Sequence, residues 1–271
     1  MRNQQNGTAG DDPTQGFAEN ATVSKNGTYF SSSSSVYYYL LIIFMAPTLV
    51  IIIQLLAASQ GETSGKSSTS SSLHYNRRIQ HAFTGMMFYG LSYILPSFMA
   101  IALLCIATLA FYALLFARSR SHTVQEYYMR HFGPLLRDHE KKLNALPGAF
   151  WFLLGTTIVV CAFPINIART SILCLAFGDP IAAIVGINVG GPKLCRNGGG
   201  GSKSLAGCLA CFWSCYLVSF VCMRELGPEA WFMTGVIATV MEGLNFFWSI
   251  PLDDNLLIPV GTSVSLWLYS T

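Results

Sequence analysis

Five stretches of the chain, 26–61, 79–117, 143–168, 204–223 and 255–271, contain no Asp, Glu, Lys or Arg. A helix that crosses a bilayer needs roughly 20 apolar residues, with about 17 to 25 tolerated. These stretches meet that length, and 79–117 exceeds it far enough for two passes. Across the 271 residues only 11% are charged, against about 25% in soluble domains. This deficit excludes a disordered chain, a soluble enzyme with an ordinary polar surface, and a nucleic-acid reader built on a basic face. The expected class is an all-α polytopic membrane protein whose medium is the lipid bilayer.

The pattern predicts about eight transmembrane helices in one domain, 36–271, behind a polar, disordered tail, 1–35. The predicted spans are 36–58, 80–95, 98–117, 146–163, 167–189, 204–223, 229–247 and 256–270, with Pro96 separating the second from the third. Between them lie hydrophilic segments at 59–80, 118–145, 190–203 and 248–255, and 118–145 is expected to contain an amphipathic surface helix. The tail lacks the apolar core of a signal peptide and is poor in Arg, so it reads as neither a secretory leader nor a transit sequence.

Orientation follows from the basic residues. With the N-terminus lumenal, only Arg2, Lys25, Arg169 and Arg224 of the 16 Lys and Arg residues lie outside. The sequons at Asn6, Asn20 and Asn26 ask for the same placement of the tail. Localisation to the endoplasmic reticulum is the expectation that fits both signals, with loops 59–80, 118–145, 190–203 and 248–255 cytosolic.

That topology gathers the rarest polar groups at the cytosolic face. Asp179 stands inside an apolar span, where an unpaired carboxylate costs on the order of 3 kcal/mol, and Gly178 and Pro180 are expected to break the helix around it. Gly186, Gly190 and Gly191 would then let backbone amides approach a ligand, the setting of a phosphate–cation site. Arg77, Arg78 and His81 share one helical turn where a loop enters the second span, able to grip a phosphate or to anchor the span. Lys203 and Ser204 open a helix, whose N-terminus favours anions. The run Gly198–Ser204 is a near miss to a Walker loop, because Ser202 replaces the Gly that must precede the Lys. Asp253, Asp254 and Asn255 are oxygen donors suited to Mg²⁺, or simply a helix end in water. Glu242 reads as a buried partner for a basic group. Cys208, Cys211, Cys215 and Cys222 include a CxxC, but they follow one helical stripe without a completing His or carboxylate, which suits helix packing over zinc.

Four segments in order resemble the CTP-dependent lipid kinase family, which includes dolichol kinase, phytol kinase and the yeast-type diacylglycerol kinase. They are Arg77-Arg78-Ile79-Gln80-His81, Phe177-Gly178-Asp179-Pro180 with Gly186 downstream, Lys203-Ser204, and Asp253-Asp254-Asn255. The resemblance implies transfer of the γ-phosphate of CTP to a membrane lipid alcohol, with CTP as donor and Mg²⁺ or another divalent cation as cofactor. It assigns catalytic roles to Asp179, Arg77, Arg78 and His81. It places nucleotide binding at Gly178, Gly186, Lys203 and Ser204, to which the local chemistry adds Gly190 and Lys193 as expected contacts, and the metal is expected at Asp179, Asp254 and Asn255. The chain departs from the family after Gly186, where a basic residue is usual and Ile187 stands instead; Lys193 is the nearest replacement. The length is close to that of the short diacylglycerol and phytol kinases, and the sequons favour diacylglycerol or a polyprenol over phytol. Two rivals use the same inventory: nucleotidyl transfer of the phosphatidate cytidylyltransferase type, and a transporter with broken helices, which would not need the paired loop aspartates.

Overall fold

A computed structural model describes residues 69–133, 136–137, 139–192, 203–247 and 253–271, with side chains described from Arg78 onward and, in the helix ending at Phe247, as far as residue 243. The tail, the expected first span 36–58 and the glycine run after Lys193 lie outside the described residues. Eight α-helices are described: α1 (Thr69–Ile94), α2 (Ser97–Arg120), α3 (His122–Phe132), α4 (Gly148–Ala162), α5 (Ile165–Asn188), α6 (Leu205–Cys222), α7 (Pro228–Phe247) and α8 (Asp254–Ser270). A 3₁₀ turn, Arg224–Leu226, joins α6 to α7.

Proline sets several helix starts. Pro96, Pro147 and Pro164 are the N-caps of α2, α4 and α5, and Pro228 is the first residue of α7. A missing N–H costs nothing at these positions, because the first N–H groups of a helix have no intrahelical acceptor. α6 and α8 begin differently. Ser204 Oγ accepts from the Gly207 N–H at 3.2 Å, and the Asp253 carboxylate accepts from the Asn255 N–H at 3.0 Å. Both caps are residues that the sequence nominated for chemistry or set beside it.

By length and composition, α2, α5 and α6 can cross a membrane; α4 is apolar but shorter. These helices match the expected third, fifth, sixth and fourth spans, and α7 and α8 match the last two within two residues. Of the three long apolar helices, α5 is largely buried, while α2 and α6 expose most of their surface. α5 packs against α1, α6 and α8, and α8 in turn packs against α4, α5 and α7. A helix apolar on all sides belongs at the centre of a bundle. Cys174, Leu175 and Ala182 of α5 form a core with Phe152, Cys211, Cys215 and Ile258 of neighbouring helices.

Two expectations are corrected here. α5 is not broken at Gly178-Asp179-Pro180; it runs unbroken from Ile165 to Asn188 with Pro180 inside. Pro180 lacks the N–H that Ala176 O would accept, but a helix packed on several sides tolerates that single loss. The segment 59–80 is not a loop throughout: α1 starts at Thr69, so Arg77, Arg78 and His81 lie within a helix.

Candidate functional site

Asp179 emerges from the middle of the buried α5, and the residue facing it is Arg78 of α1. Arg78 Nη1 lies 3.2 Å from both carboxylate oxygens of Asp179 and 3.4 Å from its carbonyl oxygen. Gly85 makes this approach of α1 and α5 possible, since a Cβ there would collide with the Ala176 methyl. The Nε of Arg78 is buried and finds no hydrogen-bond partner among the described residues. His81 lies one turn along α1, its ring edge-on to Phe152 of α4 at 4.8 Å.

A second knot lies where α6, α7 and α8 meet. Lys203 Nζ donates to Glu242 Oε1 at 3.0 Å and to Asp254 Oδ2 at 3.2 Å. Glu242 therefore has the role expected of it, a buried partner for a basic group. Burial works against the charge on Lys203, but Asp254, Glu242 and Asp179 outweigh it and hold the ammonium well above its ordinary pKa. Burial alone would likewise raise Asp254, yet Lys203 and Arg137 keep it well below the usual carboxylate range. Its neighbour goes the other way. Burial and the Asp254 charge push Asp253 up to about 8. Arg137 Nη1 approaches Asp253 Oδ2 at 3.9 Å.

The structure thus brings Arg78, Asp179, Lys203, Ser204, Asp254 and Asn255 into one electrostatic neighbourhood. Ser204 caps α6 and contacts Gly186 O at 3.5 Å. The glycines take roles other than the expected amide cradle. Gly178 lets α6 pack close, because a Cβ there would lie 2.9 Å from Cys215 Sγ. Gly186 is helical, and its Cβ would lie 3.0 Å from Ser204 Oγ. Their amides belong to α5, so close packing replaces ligand contact as the reason for glycine. Gly190 and Gly191 do lie beyond the helix, at φ of 65° and 93°, in the left-handed region that favours glycine. Lys193 and the side chain of Arg77 lie outside the described residues.

Two site residues escaped the sequence reading. Arg137 and Glu140 sit in a charge-rich hydrophilic segment, where nothing in spacing separates them from solvated neighbours. Only their contacts reveal them.

Among the described residues no three His, Cys, Asp or Glu side chains are grouped to hold a metal ion. The zinc reading of the cysteines has no support, and Cys211 and Cys215 are buried against α5. A magnesium ion needs less, since it is usually held by one or two carboxylates together with substrate phosphates. The residues present fit that requirement. Asn255 donates through Nδ2 to Gly148 O at 3.3 Å, and this leaves its buried Oδ1 without a partner among the described residues. A hard oxygen donor beside the two aspartates is thus uncommitted.

Comparison with known proteins decides the family. The chain is 35% identical over 159 residues to CTP-dependent diacylglycerol kinase 1 of Schizosaccharomyces pombe, covering 52% of this chain and 67% of that protein. It belongs to the CTP-dependent lipid kinase family. An uncharacterized protein of Rickettsia prowazekii is 28% identical over 155 residues, covering 56% of this chain and 73% of the relative. No family model matches the chain, and no solved structure matches it. In this lipid kinase family member, the knots around Asp179 and Lys203 are two polar clusters set among apolar helices.

Proposed function

We propose that the chain transfers the γ-phosphate of CTP to the hydroxyl of a membrane lipid alcohol, releasing CDP and the lipid phosphate. Diacylglycerol is the first candidate acceptor, a polyprenol such as dolichol the second, and phytol the third. The observation that supports this reading is the arrangement of Arg78 and Lys203, two cations held by Asp179, Glu242 and Asp254 among apolar helices. Phosphoryl transfer asks for positioning and charge neutralisation more than for covalent chemistry by the protein.

In this reading Arg78, with its uncommitted Nε–H, and Lys203 neutralise the transferring phosphoryl group. Asp179, Asp254 and Asn255 are the residues that would hold a divalent cation. When bound, such an ion supplies charge neutralisation on the nucleotide phosphates. The lipid hydroxyl oxygen forms the new bond to the γ-phosphorus while the bond to the bridging oxygen breaks, leaving its electron pair on CDP. The hydroxyl proton passes to His81 or to a neighbouring carboxylate. Gly190, Lys193, Ser204 and Arg77 complete the nucleotide side. The wider expectations of about eight spans, a lumenal N-terminus and a cytosolic site in the endoplasmic reticulum belong to the same proposal.

The test is incubation of membranes containing the chain with γ-labelled or α-labelled CTP, or with ATP, and a panel of lipid alcohols. Label transferred from the γ position with release of CDP is the expected result. α-Label in the lipid with release of pyrophosphate would replace the kinase by a nucleotidyltransferase. Label in no lipid would remove the reading.

A further inference from the structure

The segment between α3 and α4 carries no motif, yet a fully buried arginine is committed to it. Arg118 lies in the last turn of α2, a mostly exposed helix, and is only 1% exposed. Its Nη2 donates to three successive carbonyls, those of Glu140 at 3.2 Å, Lys141 at 3.1 Å and Lys142 at 3.0 Å. Its Nε donates to Gln125 Oε1, and its guanidinium lies over the Tyr128 ring at 4.7 Å. Burying a guanidinium is unfavourable unless its donors are satisfied. Here Nε and Nη2 are satisfied and close a turn, while the buried Nη1 has no hydrogen-bond partner among the described residues.

That turn presents Glu140, itself buried at 5% exposure. Its two carboxylate oxygens hold the backbone at both ends of the segment. Oε2 accepts from the Arg137 N–H at 2.8 Å and Oε1 from the Gly148 N–H at 2.8 Å. Gly148 is in turn docked on the start of α8, where Asn255 Nδ2 donates to its carbonyl. A Cβ at position 148 would lie 3.0 Å from that amide and 3.4 Å from Glu140 Oε1. The path from Arg118 through Glu140 thus fixes where Arg137 enters the site. Arg137 meets Asp253 at 3.9 Å, an attraction without a hydrogen bond, so among the described residues a phosphate oxygen approaching Arg137 there displaces none.

Resting on the lipid kinase reading above, we propose that Arg137 is a third cationic residue of the phosphate site, and that Arg118 and Glu140 are its positioning residues. A guanidinium offers a planar pair of donors to a phosphate, which an ammonium does not. Arg137 would bind nucleotide phosphate, while Arg118 and Glu140 act only through it.

The deciding measurement is equilibrium binding of CTP with Mg²⁺ to the purified full chain, alongside γ-phosphate transfer. Arg137→Ala is expected to weaken CTP binding about ten- to a hundredfold, the range for a charge-assisted hydrogen bond. The KM for lipid should stay unchanged, and Arg137→Lys should recover only part of the loss. Unchanged CTP affinity in Arg137→Ala overturns the proposal. Arg118→Met should show the same loss, and the double variant should be no worse than Arg137→Ala, since the two act in series. Additive losses overturn the positioning role. Should Arg118→Met not accumulate in folded form, Glu140→Gln reads the same link, weakened binding supporting it and wild-type binding overturning it. A wild-type chain that binds CTP but transfers no phosphate defeats the kinase reading alone. One that binds no CTP defeats both.

Discussion

Arg78 holds both carboxylate oxygens of Asp179 through a single nitrogen, Nη1, at 3.2 Å, across 101 residues of chain. The pair is largely buried, at 17% and 10% side-chain exposure. Removing one partner leaves the other charge desolvated, a loss of about 3–5 kcal/mol in comparable buried pairs. Asp179→Ala should therefore abolish CTP-dependent lipid phosphorylation and lower the unfolding temperature in detergent. The double variant Arg78→Met with Asp179→Leu should recover most of the stability and none of the activity. Activity in either variant would show that the pair is only a structural brace.

Glycine packing between α5 and α6 makes a graded prediction. A Cβ at Gly207 would lie 2.7 Å from the Ala182 carbonyl oxygen, a backbone atom that cannot swing away. At Gly186 the obstacle is the Ser204 hydroxyl at 3.0 Å, which can rotate. Gly207→Ala should cost roughly 1–3 kcal/mol, the usual scale of overpacking, and Gly186→Ala clearly less. Gly186→Ala should still impair activity by disturbing the residue next to Lys203. Thermal unfolding of both variants checks the order.

The aspartate pair predicts a pH dependence of stability. Asp253 is pushed up to about 8 by burial and by Asp254, whereas in the unfolded chain it titrates near 4. Between these values the folded state keeps a proton that the unfolded state has released. Stability of the cation-free protein should therefore fall as pH rises through that window, by up to about 1.4 kcal/mol per unit. Asp254 has the opposite sign, but it is ionised in both states there and adds a slope only at lower pH. Unfolding temperatures from pH 5 to 8 test this. Asp253→Asn should flatten the curve, and a flat wild-type curve would contradict it.

Cation dependence should depend on Asn255. Its Oδ1 is buried and uncommitted among the described residues, while its Nδ2 is held by Gly148 O. Chelation with EDTA should abolish lipid phosphorylation, and added Mg²⁺ should restore it. Asn255→Ala should need about tenfold more Mg²⁺ for half-maximal rate, the loss expected for one ligand contact. Equal Mg²⁺ requirements in the variant and wild type would remove Asn255 from the cation site.

Much of the fold was legible in the residue order. Charge-free runs marked the apolar helices, and Pro96 marked the division between two of them; that Pro147 and Pro164 cap two more helices emerged only from the structure. The chain around Asp179 misled. Gly178 and Pro180 weaken an isolated helix, but α5 is supported by α1, α6 and α8, and packing outweighs the loss of one hydrogen bond. Local propensity could not see that support.

The sequence by itself determined that the chain is helical and apolar; it singled out Asp179 as a charge out of place in an apolar span and put Lys203 and Asp254 among the candidate site groups. Local patterns decide these matters, since a residue's polarity and its spacing are visible without its neighbours in space. Only the tertiary structure decided that Arg78 answers Asp179, that Lys203 joins Glu242 to Asp254, and that Arg118 reaches through Glu140 to Arg137. Partners so far apart in sequence meet through the packing of helices, and a partner's identity leaves no mark on local spacing.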